Sequence, residues 1–441
     1  MKKIFLTMLA AGGIFTAATA QKLYTLQYCL EQGLQNNYSL RIAHNDKKVS
    51  DNNATWANAG MLPTLDFTAG YTGNVDNTQS TERSTGVKTK TNGGYDQDVN
   101  IGLNLNWTIF DGFDMTSNYK QLKILKQQGE TNTRLAIEDM IANVASEYYN
   151  YVQQTIRLKN FLYAVSLSKE RMRIVEARYH IGNFSRLDYQ QSKVDFNADS
   201  AQYIKQKEAL HTSRIRLNEL MALQDVDEEF VIKDSMIDVN TQLDFNELWN
   251  ATLATNASLL AADQNIDIAK LDYKKVRSRD YPYLKLNAGY GYTYNKYSAA
   301  TSSLKDRGQL GFNAGITVGF NIFDGNRKRE RQNAKIEIMN SRLLRDELEL
   351  GLKADLTNMW QAYKNNLNLL NLERQNLITA RENHEIAMER YMLGDLSGIE
   401  MREAQQSLLD AEERILSVQY DIKLCEISLL QLSGKIMEFL K

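Results

Sequence analysis

The chain has 441 residues, with 52 Lys+Arg against 54 Asp+Glu and a formal net charge of −2, so the basic surface of a nucleic-acid binder is not expected. Two cysteines (Cys29, Cys425) and four scattered histidines (His44, His180, His211, His384) exclude a disulfide framework and a metal-ligand cluster. Only two prolines, Pro63 and Pro282, against a usual share of about 5%, favour very long uninterrupted elements.

Met1-Lys2-Lys3 gives a short basic start, residues 4–18 are apolar and small, and Ala18-Thr19-Ala20 supplies a cleavage site. This pattern predicts a secretory signal peptide over 1–20 and export from the cytoplasm. No cysteine follows the site, so a lipid anchor is not expected, and no later apolar run reaches the roughly 18 residues of a membrane helix. A helix is predicted over about 25–60, before Pro63.

Strict alternation then begins. Leu65, Phe67, Ala69 and Tyr71 interleave with Asp66, Thr68, Gly70 and Thr72; Val99, Ile101, Leu103, Leu105, Trp107 and Ile109 interleave with Asn100, Gly102, Asn104, Asn106 and Thr108. Two hairpin strands are predicted at about 64–75 and 97–110, with 73–98 as their polar connection. From Met115 to about Tyr179 apolar residues recur at helical spacing (Leu122, Leu125, Met140, Ile141, Val144, Tyr148, Val152), which predicts one helix roughly 100 Å long. A return helix follows over about 185–221, then the acidic stretch 224–240, then a helix over about 244–280.

After Pro282 the alternation returns. Leu284, Leu286, Ala288, Tyr290, Tyr292 and Tyr294 interleave with Lys285, Asn287, Gly289, Gly291 and Thr293; Leu310, Phe312, Ala314, Ile316, Val318, Phe320 and Ile322 interleave with Gly311, Asn313, Gly315, Thr317, Gly319 and Asn321. Strands are predicted at about 283–295 and 308–323, joined by 295–308. Apolar-out, polar-or-glycine-in runs of about 9–13 residues fit a transmembrane β-barrel, and Trp107, Phe110, Tyr281 and Phe323 at their ends fit interfacial girdles. Four strands cannot enclose a lumen, and open edges are not tolerated in lipid, so closure requires more chains. Asn326-Arg327-Lys328-Arg329 opens a second long helix to about Tyr391; these bases face either lipid phosphates or water. A final helix is predicted over about 397–440.

The two halves repeat each other in order and at nearly constant spacing. Asn37, Leu40, Pro63, Gly70 and Tyr71 recur in the second half as Asn256, Leu259, Pro282, Gly289 and Tyr290. Ile109-Phe110-Asp111-Gly112 returns as Ile322-Phe323-Asp324-Gly325, and Arg178-Tyr179…Gly182…Ser185…Asp188 returns as Arg390-Tyr391…Gly394…Ser397…Glu400. The chain therefore divides into a signal peptide (1–20), a first repeat (21–222), an inter-repeat segment (223–243) and a second repeat (244–441), with two long and four shorter helices. The fold class expected is mainly α with a transmembrane β part.

The ordered repeat of Leu62-Pro63 and Tyr281-Pro282, of the two Phe-Asp-Gly turns, and of Tyr179-His180-Ile181-Gly182 and Tyr391-Met392-Leu393-Gly394 resembles the TolC family of outer-membrane efflux proteins across the whole mature chain. The resemblance implies a homotrimer whose 12-stranded β-barrel lies in outer-membrane lipid and continues into a 12-helix α-barrel through the periplasm. It implies a passive duct for drugs, metals or polypeptides, working with a periplasmic adaptor (membrane fusion protein) and an inner-membrane transporter, without catalysis or cofactor. The segment 224–240 with the C-terminal residues matches the family's equatorial region. By the same resemblance Asp188, Tyr391, Glu400 and Glu403 form the periplasmic gate, with Tyr391 bonded to Asp188 and the two glutamates in acidic rings. Gly182, Phe184, Ser185, Gly394, Leu396 and Ser397 would be adaptor-docking tips, the serines also serving as helix caps. The family's gate arginine is replaced by Leu396, and Arg186 is the nearest substitute. The alternative function is a secreted or surface coiled-coil scaffold with a soluble sheet. It explains the helices but leaves the apolar strand face uncovered.

Overall fold

Alternation of apolar and small polar residues produces a four-stranded antiparallel sheet in a computed structural model that describes residues 22–298, 302 and 304–440. The expected signal peptide, 1–20, lies outside the described residues. In chain order the elements are β1 (Lys22–Tyr24), α1 (Leu26–Asn36), α2 (Tyr38–Asn53), β2 (Thr64–Thr81), β3 (Lys88–Phe110), α3 (Asp114–His180), α4 (Arg186–Leu220), β4 (Phe230–Ile232), α5 (Phe245–Thr255), α6 (Ala257–Ser278), β5 (Tyr283–Lys296), β6 (Asp306–Gly319), α7 (Arg327–Leu393) and α8 (Gly398–Leu432), followed by a 3₁₀ turn, Ile436–Leu440. The described residues fall into two compact units. One lies within Met1–Tyr38, Ile137–Trp249 and Leu356–Lys441; the other comprises Ser39–Ala136 and Asn250–Asp355.

The second unit holds the sheet, in the order β2-β3-β5-β6. Its register sets Phe67, Leu103, Tyr290 and Phe312 in one row and Asp66, Asn104, Gly289 and Asn313 in the next, so one face is apolar and the other polar. Phe67, Phe312, Ile316 and Val318 are each about 70% exposed: nothing among the described residues covers that face. On the polar face Asn104 Nδ2 donates to Thr68 Oγ1 at 2.9 Å. A Cβ on Gly289 would sit 2.7 Å from Asn313 Oδ1, so glycine makes room for the asparagine row. No described helix is long and apolar enough to cross a membrane.

Several elements differ from expectation. The first hairpin continues through most of the predicted 73–98 connection: Thr72–Thr81 pairs with 88–98 around a turn in which Glu82 N–H donates to Val87 O. Backbone pairing needs no apolar residues, and the threonines there suit a strand. β6 ends at Gly319 rather than residue 323, because its last partner, Tyr283, follows Pro282, which has no N–H to offer. The helices expected over 25–60 and 244–280 each break in two. Asn37 and Asn256, a pair repeated between the halves, sit at the breaks outside helical conformation; Asn37 Nδ2 donates to Leu220 O at 3.0 Å, and Asn256 caps α6 by accepting from Leu259 N–H at 3.1 Å. Among the described residues there are therefore two long α-helices, two of 35 residues and four short ones. The final helix stops at Leu432, where Gly434 turns with φ +68°.

Of the three bases that open α7, Lys328 and Arg329 are exposed and Arg327 faces protein. Arg327 donates to Asn321 O at 3.0 Å and pairs with Asp280 at 3.4 Å, and Arg331 pairs with the same carboxylate at 2.8 Å. Arg327 therefore belongs to a local ion-pair cluster instead of meeting lipid phosphate.

The first unit contains the apolar core. Leu356, Tyr363, Leu370, Val418, Ile422 and Leu429 bury one cluster between α7 and α8. Ile141, Val144, Tyr148, Val152, Leu217 and Met221 are fully buried along α3 and α4. The parallel pairing of β1 with β4 has no counterpart in the sequence expectations; Tyr24 stacks on Phe230 at 4.3 Å and anchors the inter-repeat segment. Tyr148 Oη donates to Asp234 Oδ2 at 2.8 Å, and Tyr363 Oη donates to Asn240 O, so two buried phenols hold the same segment. Cys29 and Cys425 are free and buried in this unit, and burial pushes the Cys29 thiol up to about 12.

Candidate functional site at the helix-hairpin tips

Each long helix ends in the same way. At the first tip Gly182 adopts φ +83°, its N–H donates to Tyr179 O at 3.0 Å, and Asn183 N–H donates to Arg178 O at 2.9 Å. At the second tip Gly394 adopts φ +89°, with Gly394 N–H to Tyr391 O at 3.2 Å and Asp395 N–H to Arg390 O at 2.9 Å. These are paired Schellman closures, and the left-handed residue in each is glycine because a Cβ would be strained there.

The return helices start on matching capping boxes. Ser185 Oγ donates to Asp188 Oδ2 at 2.7 Å and accepts from Asp188 N–H at 3.2 Å, while Ser185 N–H reaches the carboxylate at 3.0 Å. Ser397 and Glu400 repeat this at 2.7, 3.2 and 3.0 Å. These bonds hold the Glu400 carboxyl below its ordinary range, so the box keeps its full strength above that range and loses it as pH falls. Ser185→Ala and Ser397→Ala should each lower stability by about 1 kcal/mol, read as a lower melting midpoint of the detergent-solubilised protein at neutral pH.

Asp188, Ser185, Glu400 and Glu403 are exposed, whereas Tyr391 is 1% exposed. Its ring sits with Val175, Ala387, Met401 and Ala404, edged by Phe184, Tyr189 and Leu396. The expected bond from Tyr391 to Asp188 is not made: the tyrosine hydroxyl is buried without a partner among the described residues, and the aspartate closes its own cap. Burial pushes the Tyr391 phenol above its ordinary range, with Arg171 and Arg178 pulling the other way.

Leu396 fills apolar space instead of supplying a cation. Arg186 is exposed, with no acceptor among the described residues. Arg178 takes the bridging part: its guanidinium lies 5.4 Å from the Phe184 ring centroid and 5.6 Å from that of Tyr391, and it donates to Met392 O at 3.1 Å. Arg178 stands in the repeated motif, but only packing shows which tip it reaches.

Two largely buried ion pairs lie farther along the helices. Arg171 meets Asp195 at 2.5 Å, and Arg402 holds Asp199 with both terminal nitrogens at 2.6 Å. A cavity of about 670 Å³ between these pairs and the tips is lined by Phe184, Leu187, Asp188, Tyr391, Ile399 and Glu403. It brings together three of the four predicted gate residues and leaves Glu400 at its own cap. Exposed apolar side chains flank the turns in matched positions, Ile181 with Leu393 and Leu187 with Ile399, each more than 70% exposed. Their repetition in step with the tip motifs was the signal that sequence reasoning missed. The site therefore offers carboxylates, apolar knobs and glycine turns. Among the described residues no group of His, Cys, Asp or Glu could hold a metal ion.

A family model described as outer membrane efflux protein matches residues 29–223 and 248–435. The chain is 20% identical to outer membrane protein TolC of Vibrio cholerae serotype O1, covering 99% of this chain and 97% of that protein. It is 20% identical to outer membrane efflux protein BepC of Brucella suis, covering 97% and 89%. Its fold matches the CmeC outer membrane channel of Campylobacter jejuni with a TM-score of 0.74 at 18% identity, over 93% of this chain and 85% of that one.

Proposed function

The chain belongs to the outer membrane efflux protein family, and from that premise we propose how it works as the passive exit duct of a tripartite efflux pump or type I secretion system. It is an outer-membrane channel of TolC-like α-barrel and β-barrel architecture, extending into the periplasm. The observation that carries the proposal is the sheet. It has an apolar face that nothing among the described residues covers, a polar face lined by asparagine and glycine, and edges at β2 and β6 that lack a second partner among those residues. Such a sheet is satisfied in lipid only when neighbouring copies pair its edges. Three copies would supply 12 strands, which makes the homotrimer the natural assembly.

The periplasmic adaptor would dock on the helix-hairpin tips. Gly182 and Gly394 set the turns, Ser185 and Ser397 fix the helix starts, and Phe184 and Leu396 back them from the interior. Exposed Ile181, Leu187, Leu393 and Ile399 give that surface its apolar contacts. An inner-membrane transporter would supply the energy. Asp188, Glu400 and Glu403, repeated by threefold symmetry, would ring the constriction with carboxylates and favour cations over anions.

The test is fractionation followed by electrophysiology. The protein should appear in detergent-extracted outer membrane as a heat-modifiable trimer, and purified trimers should give cation-preferring conductance steps in planar bilayers. A water-soluble monomer without conductance would overturn the reading.

A further inference from the structure

We infer that the Arg402–Asp199 ion pair, braced by Arg171–Asp195, is the tie that makes the two return helices of one protomer move as one body. Arg402 stands one turn inside α8 and Asp199 midway along α4, 203 positions earlier, so the pair joins the two repeats. The two terminal guanidinium nitrogens meet the two carboxylate oxygens at 2.6 Å, the planar fork geometry in which arginine binds a carboxylate most tightly. The Asp199 side chain is 7% exposed and that of Arg402 is 22% exposed. Salt therefore screens the pair poorly, and removing either partner alone leaves the other charge poorly solvated and unpaired. One helical turn before Asp199, Asp195 takes Arg171 of α3 at 2.5 Å, so α4 is held on two sides by two arginines.

Two further observations favour this pair over the tip residues. Asp188 and Glu400 are engaged in their own capping boxes, and the Tyr391 hydroxyl has no partner among the described residues. These three therefore give no side-chain bond across the tips, where Arg178 makes a single hydrogen bond to the Met392 carbonyl in place of a two-bond fork. The pair also breaks the internal symmetry. The equivalent positions in the opposite repeat, Gln190 for Arg402 and Ala411 for Asp199, carry no charge, and Ala411 is fully buried. At these positions the repeated halves therefore have one charged α4–α8 clasp where the repeat alone would give two; a neighbouring pair, Arg157 with Glu413, ties α3 to α8.

This inference rests on the duct reading for its consequence: with α8 released from α4, the second tip no longer follows the first and the periplasmic end widens. Arg402→Gln and Asp199→Asn should each raise single-channel conductance severalfold in planar bilayers, with heat-modifiable trimers retained. Arg402→Lys, which keeps the charge but not the fork, should fall between. The exchanged pair Asp199→Arg with Arg402→Asp should return conductance toward wild type. Wild-type conductance from either single variant in intact trimers overturns the tie, as does a raised conductance that the exchange fails to reverse. Hydrogen exchange of α8 amides reads the tie without any channel: the first half of α8 should exchange faster in Arg402→Gln, and unchanged exchange counts against the tie. Wild-type protein that never conducts, with exchange still raised in the variant, refutes the duct and leaves the tie standing. If Arg402→Gln yields no trimers, Asp199→Asn, which preserves side-chain shape, gives both readouts.

Discussion

Gly112→Ala should remove most of the protein from the outer membrane, whereas Gly325→Ala, at the same place in the second repeat, should leave its level unchanged. Both glycines follow Phe-Asp at the end of a hairpin, and sequence treats them as equals. Their surroundings differ. Gly112 has φ +72°, and a Cβ there would lie 2.1 Å from Ser278 O and 2.9 Å from Tyr281 Cβ. The obstructing carbonyl is backbone at the end of α6, fixed by accepting from Tyr281 N–H at 3.0 Å, so it cannot swing away. Left-handed alanine adds about 1 kcal/mol of strain, and the clash forces the strand-to-helix turn apart, for a total above about 3 kcal/mol. The aromatic cluster that closes this junction, Phe110 on Phe113 and Phe113 on Tyr281, would be displaced with it. At Gly325 the nearest atom to an added Cβ is 3.9 Å away, and its φ is not left-handed. The amount of heat-modifiable trimer in outer membrane measures both; equal behaviour of the two variants would contradict this account.

Phe312→Arg should be nearly as damaging, for a different reason. Phe312 lies in the apolar row with Phe67, Leu103 and Tyr290 and is 71% exposed in the chain. An arginine on the lipid face near mid-membrane costs about 2–4 kcal/mol, and the expected readout is loss of folded trimer with accumulation of unfolded chain. Its neighbour Asn313 points to the other face, beside Gly289 and Asn104. Asn313→Asp keeps the shape, so trimer should form normally and cation preference in bilayers should rise. A soluble sheet would show the reverse ordering, tolerating arginine on its exposed face.

Much of the fold is legible in the sequence because its signals are local. Period-two alternation marks all four membrane strands, and long proline-free runs of helical spacing mark α3 and α7 within two residues at either end. The departures have physical causes. Asn37 and Asn256 stand out as a repeated pair, yet repetition does not reveal that their side chains bond backbone and stop a helix. The first hairpin outruns its apolar residues because threonine-rich strands pair through backbone alone. β1 and β4 are three residues each, too short to show a period. At the tips, the glycine turns and serine caps follow from repeated motifs, but the surroundings of the Tyr391 hydroxyl do not.

Residue order alone specifies which side chains line each face of the sheet, where the long helices begin and end, and how each tip is closed, since all of these depend on neighbours a few residues away. Packing in three dimensions was needed to show that Arg327 serves Asp280, that Arg178 bridges the tips, and that Arg402 clasps Asp199. Each of those contacts joins different elements and depends on the rotation of one helix against another. A small rotation, invisible in the order of residues, decides whether a guanidinium meets a carboxylate, a ring or water.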